Sequence, residues 1–145
     1  MNSLKQFLQS NIMAISIGIV YLWFGVLKFF PDLSPADSLA KNTMYELTFG
    51  LVPSNVSIIL LAILETGIGL FLIFNLYRRA TILIGLAHIL FTFTPLFLFP
   101  EQLFNNTPFE LTLLGQYIAK NLIIISALIA LLNENKAKTR RYYSY

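Results

Sequence analysis

The sequence predicts an all-α integral membrane protein. The expected architecture is a four-helix bundle with both chain ends on the cytoplasmic side and a short amphipathic helix in the first outer loop. Three observations carry this expectation. Of 145 residues, 57% are hydrophobic and only 12% charged, against about 25% charged in a soluble domain, and the mean hydropathy is +0.70. The apolar residues gather in four runs, roughly 12–30, 56–76, 81–99 and 116–132, each of about 17–21 residues and so long enough to cross a ~30 Å hydrocarbon core as a helix. None of the runs has the charged face that a helix of a soluble protein shows. The chain, 1–145, reads as a single transmembrane domain with no separate soluble module.

The elements follow in order. The first run comes after Met-Asn-Ser-Leu-Lys-Gln-Phe-Leu-Gln-Ser-Asn and ends at Pro31. It is too long for a signal-peptide core and no small-residue cleavage site follows it, so it reads as an uncleaved anchor. In the next loop, Ser34 is the expected N-cap and Pro35 the first helical residue. Leu39, Met44, Leu47 and Leu51 then recur at helical spacing, which predicts a helix lying at the outer surface. The second and third runs are joined by a tight turn carrying Arg78 and Arg79. Pro100 closes the third run, and the loop from Glu101 to Gly115 is expected to form a similar but shorter surface helix. The tail from Asn133 to Tyr145 is basic and is expected to skim anionic lipid. Phe30-Pro31 followed by Glu46-Leu47-Thr48, and Phe99-Pro100 followed by Glu110-Leu111-Thr112, suggest a repeat of two helical hairpins in the same orientation.

Charge sets the orientation. Lys5, Arg78, Arg79, Lys136, Lys138, Arg140 and Arg141 fall on one side if both termini are cytoplasmic. The opposite loops hold Asp32, Asp37, Glu46, Glu101 and Glu110, with Lys41 their one base. The positive-inside rule therefore gives N-in and C-in. The net charge of +3 is accounted for by this topology and does not imply a nucleic-acid partner; the expected partner is the lipid bilayer. Cysteine is absent, which removes disulfides, thiolate nucleophiles and Cys-ligated metals. One histidine without cysteine partners is no metal signal. Phosphate loops, HExxH, GxSxG and the TVGYG channel filter are all missing.

The functional signal is four ionisable residues in otherwise hydrocarbon runs, one in each: Lys28, Glu65, His88 and Lys120. A charge at membrane depth costs roughly 2.5–3.5 kcal/mol or more, so such residues mark functional sites by default. Each shares a helical stripe with small or polar residues: Gly18, Tyr21 and Gly25 with Lys28; Ala62 and Gly69 with Glu65; Gly85, Thr92 and Pro95 with His88; Gln116 and Ile123 with Lys120, Asn121 lying beside them. Small residues mark helix contacts, so the four groups are expected to converge on one cavity open to the outer face. The two lysines would stand at its mouth, with Glu65 and His88 at its floor. Lys28, Glu65, His88, Lys120, Gln116 and Asn121 are thus the candidates for ligand binding or proton relay. The bland readings are a structural ion pair for Glu65, lysines snorkelling to headgroups and a histidine satisfied by backbone. The aromatic residues Trp23, Phe24, Phe29, Phe30, Tyr45, Phe97, Phe99, Phe104 and Tyr117 are expected to form an interfacial belt, the alternative being a stacking wall for a flat ring such as a quinone head.

Several segments resemble the DoxX family of small four-helix membrane proteins: Phe24-Gly25-Val26-Leu27-Lys28-Phe29-Phe30-Pro31, Leu64-Glu65-Thr66-Gly67-Ile68-Gly69 and Gly115-Gln116-Tyr117-Ile118-Ala119-Lys120-Asn121. Leu47-Thr48-Phe49-Gly50-Leu51-Val52-Pro53 is similar to one branch of that family. The resemblance implies a four-helix inner-membrane bundle associated with redox systems. One relative is a subunit of a thiosulfate:quinone oxidoreductase, and others accompany thiol-stress or oxidative-stress enzymes. The lack of cysteine argues against a direct thiol role here. The resulting expectation is a quinone-linked or redox-associated membrane protein with a pocket open to the periplasmic side, taking quinone as its ligand or working with a partner redox subunit. Two alternatives stand beside it: a non-catalytic accessory subunit of a larger membrane complex, and a small-solute or proton transporter.

Overall fold

The computed structural model describes residues 2–30, 33–34, 36–107 and 109–142, with side chains from 5 to 134 within those ranges. The expected stop at Pro31, the helix start at Pro35 and the charges of Asp32, Lys136, Lys138, Arg140 and Arg141 lie outside what is described. The described residues are helical apart from turns and one isolated bridge between Phe104 and Leu111. The helices are α1 (Asn2–Leu27), α2 (Asp37–Leu47), α3 (Ser54–Ile73), α4 (Arg78–Phe91), α5 (Pro95–Leu98), α6 (Pro100–Leu103), α7 (Leu113–Ala119) and α8 (Asn121–Tyr142). Four stretches are long and apolar enough to cross a membrane: Lys5–Leu27, Ser54–Ile73, Arg78–Leu98 and Leu113–Glu134. Large apolar side chains such as Ile12, Trp23, Ile63, Leu90 and Ile123 are exposed along them, a surface suited to acyl chains rather than water.

Two of the expected spans are interrupted. Pro95 has no N–H to give and its ring crowds the carbonyl one turn back. Accordingly α4 ends at Phe91, and the chain turns through Thr92–Thr94 before α5. The fourth span breaks at Lys120, between α7 and α8. Ser34 is not the N-cap of α2; that place is held by Ala36, whose side chain cannot cap. The second outer loop forms only the four-residue α6. It then closes as a hairpin, Asn105 N donating to Glu110 O and Thr112 N to Leu103 O. The suggested repeat does not extend to local structure: Thr48 closes α2, whereas Thr112 opens α7 by accepting from Gly115 N at 3.2 Å. The tail continues α8 as far as Tyr142.

Both sharp turns are Schellman closures. After α3, Leu76 N donates to Phe71 O and Asn75 N to Leu72 O, with Asn75 left-handed. After α2, Gly50 N donates to Tyr45 O and Phe49 N to Glu46 O. Here the left-handed residue is Phe49, at φ +52°, a conformation costing an L-residue about 1–2 kcal/mol.

Helix α1 packs along α3 and α4 along α8, while contacts of α3 with α4 and of α1 with α8 close the ring. With lipid outside, burying apolar surface drives this little; close packing must do it. Glycines let α1 and α3 approach. A Cβ at Gly69 would lie 2.6 Å from Leu22 N and 2.8 Å from Gly18 O, and one at Gly25 would lie 2.6 Å from Thr66 N. The main core joins Ala14, Ile17 and Tyr21 of α1 to Ile68 and Leu72, Ile82 and Ile89, and Leu128 and Leu131. A smaller core of Leu39, Leu103 and Ile118 pins α2 to α6 and α7 at the loop end. At the other end Arg78 donates to Asn11 Oδ1 at 2.5 Å and Asn75 Oδ1 at 3.0 Å, and lies 3.8 Å from Glu134. It ties α1, the α3–α4 turn and α8 together.

Candidate functional site

Three of the four ionisable residues meet. Lys28 Nζ lies 2.6 Å from Glu65 Oε2, and His88 Nε2 lies 3.2 Å from Glu65 Oε1; the three side chains are 8–9% exposed. Each is delivered by its helix. Beyond Leu27 the last turn of α1 tightens, Lys28 N donating to Gly25 O. This swings Lys28 inward at the negative end of the helix dipole, where a cation is favoured. Glu65 stands one turn before Gly69 on α3, at the closest approach to α1. His88 stands in the last turn of α4.

Tyr21 extends the chain of bonds. Its hydroxyl is 3.2 Å from His88 Nδ1 and 3.1 Å from Gly85 O. The donor count restricts the protons. Glu65 as a carboxylate only accepts, so His88 Nε2 carries the hydrogen between them. With a neutral imidazole, Nδ1 is then an acceptor and takes the Tyr21 proton, a tautomer inferred from its partners. With a second proton on Nδ1, the Tyr21 hydroxyl donates to Gly85 O and accepts from Nδ1. The hydrogen-bond partners are thus the same for either form of the imidazole. Tyr21→Phe is expected to leave Nδ1 unpartnered and to destabilise the protein by about 1–3 kcal/mol. Unfolding in detergent would measure the loss, and 15N resonances of the imidazole would show Nδ1 shifted. An unmoved Nδ1 signal would mean that Tyr21 is not its partner.

A cavity of about 130 Å³ adjoins the cluster, lined by Lys28, His88, Thr92, Tyr117 and Asn121. Helix α2 covers it, contributing Leu39, Thr43 and Met44 among others. Lys28 gives one of its three N–H groups to Glu65, leaving two for an acceptor in the cavity. Asn121 Nδ2 donates to Thr92 Oγ1 at 2.9 Å, joining α8 to α4 at the wall. Phe24 packs edge-on against Tyr117, their centroids 5.4 Å apart. The other aromatic residues divide: Trp23, Phe29, Phe30, Tyr45 and Phe97 are exposed, while Phe99 and Phe104 pack on the smaller core.

The expected fourfold convergence is corrected to a group of three ionisable residues. Lys120 is exposed at the break between α7 and α8 and does not line the cavity. Gln116 is also exposed and donates to Leu111 O at 3.3 Å. The stripe of Gln116, Lys120 and Ile123 faces outward; the inward face of this span carries Gly115, Ile118, Leu128 and Leu131. Of the fourth-span candidates, Asn121 alone reaches the cavity. Tyr21 and the α2 residues were not sequence candidates, and Tyr117 stood only among the aromatic residues read as a belt or a stacking wall. Tyr21 had a signal, lying seven residues before Lys28 on the glycine stripe. Among the described residues no cluster of three potential metal ligands is present. No protein-family model, curated protein or solved structure matches the chain.

Proposed function

We propose that the protein is a DoxX-like inner-membrane protein, N-in and C-in, that binds a quinone head in the cavity beneath α2 on the periplasmic side and works with a redox partner. The observation that carries this is the pairing of a ring-sized, mostly apolar cavity with the Lys28–Glu65–His88–Tyr21 chain. A cavity of about 150 Å³ encloses a benzene ring; this one, at about 130 Å³, is slightly smaller but open along one side, so it takes a ring without enclosing all of it. The two remaining Lys28 N–H groups suit a carbonyl oxygen. Glu65 holds Lys28 and His88 in place, and Glu65 and His88 would carry or relay a proton, with Tyr21 hydrogen-bonded to His88. The quinone itself would supply the electron chemistry, since the side chains present carry no redox centre. Beyond Tyr21 the packed Ala14, Ile17, Leu72, Ile82 and Leu131 give no polar continuation. This favours a polar chain that ends inside the bundle over a path across the membrane, and so favours ligand binding over transport.

The test is purification in mild detergent, extraction of bound lipid and mass analysis for quinone, followed by titration with added quinone. Wild-type protein is expected to carry or bind quinone, and Lys28→Ala and Glu65→Gln to weaken binding tenfold or more. An empty extract, with no binding of added quinone, would remove this reading.

A further inference from the structure

The cavity beneath α2 is not closed on the lipid side. A second, larger space of about 350 Å³ lies where α2, α3 and α4 meet, lined by Met44, Leu47, Leu61, Leu64, Ile84, Ala87, His88 and Phe91. Met44, Leu47, Leu61, His88 and Phe91 line both spaces, so the two adjoin along a shared wall. Apart from His88 the walls of the larger space are apolar side chains. Its rim residues Leu64, Ile84 and Phe91 are 40%, 49% and 64% exposed, on the surface that meets acyl chains. An apolar chain passing from the bilayer into this cleft meets no polar barrier until it reaches His88.

Resting on the proposed quinone site, we infer that this cleft holds the polyprenyl tail of the quinone and is its lateral doorway from the bilayer. A phospholipid acyl chain is the competing occupant, and two features of the site disfavour it. A phosphate drawn into the adjoining cavity would give up its hydration to walls that are mostly apolar, a cost far larger for a charged group than for a neutral carbonyl. Lys28 is already matched by Glu65 at 2.6 Å, so no unbalanced cation awaits a phosphate. A tailed, uncharged carbonyl ring meets both conditions. Helix α2 roofs the cleft and the cavity together, which commits head and tail to one binding event.

Binding of two compounds to the full chain in detergent tests this: a quinone with a multi-isoprene tail and the same ring without a tail, compared at equal mole fraction in the micelle. Wild-type protein is expected to bind the tailed compound at least tenfold more tightly. Ala87→Trp, filling the cleft from α4, and Leu64→Trp, filling it from α3, are each expected to erase that advantage. Both variants are expected to hold the tail-less ring within twofold of wild type, which also shows that they are folded. Equal affinity for the two compounds in wild type, or an advantage untouched by both variants, overturns the cleft assignment and leaves the head site standing. Occupation of the cleft by phospholipid that tailed quinone does not displace assigns it to bilayer acyl chains and also overturns the inference. Binding of neither compound overturns the head site and the cleft together.

Discussion

Glu65→Ala is expected to be the most damaging single change at the polar cluster, lowering the free energy of unfolding by about 3–5 kcal/mol. The reason is what it leaves behind. Lys28 and Glu65 are 9% and 8% exposed, and their 2.6 Å contact joins α1 to α3. Removing the carboxylate strands a cation among apolar side chains and takes the partner from His88 Nε2. Taking away both charges is a different matter. The desolvation penalty of a buried pair rivals its attraction, so Lys28→Met with Glu65→Met is expected to be neutral or stabilising by up to about 4 kcal/mol. Unfolding of the single and double variants in detergent completes the cycle. Quinone binding by the double variant then separates a helix clamp from a ligand site. A stable double variant that no longer binds assigns the charges to the ligand, whereas one that binds as well as wild type assigns them to clamping alone. A loss below about 1 kcal/mol for Glu65→Ala would mean that the pair is open in solution.

The helical class and the four membrane-length runs were legible because length and apolarity alone define them. The inward faces were less so. In water, hydrophobic periodicity points to the core; in lipid both faces are apolar, and the pattern loses its contrast. The stripe chosen for the fourth run shows the consequence, since Ile123 is 72% exposed while Leu128 is fully buried. Glycines kept their meaning, because backbone approach needs them in any solvent. Gly18, Gly25 and Gly69 do line the α1–α3 contact. Lys120 looked equivalent to Lys28 in the sequence. It lies on that same outward stripe with Gln116 and Ile123, which carries no glycine, whereas Lys28 shares its stripe with Gly18 and Gly25. The cover provided by α2 was hidden for another reason. Nothing local in Thr43 or Met44 says which end of which helix they will reach; that follows from the smaller core, where Leu39 meets Leu103 and Ile118.

Gly69→Ala is expected to disable the site without touching any of its polar atoms. The added methyl would lie 2.6 Å from Leu22 N and 2.8 Å from Gly18 O. These are backbone atoms of a packed helix, so neither can rotate aside, and α1 and α3 must separate. Overpacking of this kind costs about 1–3 kcal/mol. The functional cost is larger, because Gly69 lies one turn from Glu65 on the same face and Gly25 lies three residues from Lys28. A shift of about 1 Å between the helices turns a 2.6 Å ion pair into one beyond hydrogen-bond reach. Gly67 on the same helix is the control, since a Cβ there meets nothing within 4 Å. Gly67→Ala is therefore expected to be neutral or to stabilise by up to about 1 kcal/mol through helix propensity alone. Thermal unfolding and quinone titration of the two variants side by side give the comparison. Equal behaviour would mean that α1 and α3 do not meet in this register, and the cluster built on their contact would have to be assembled another way.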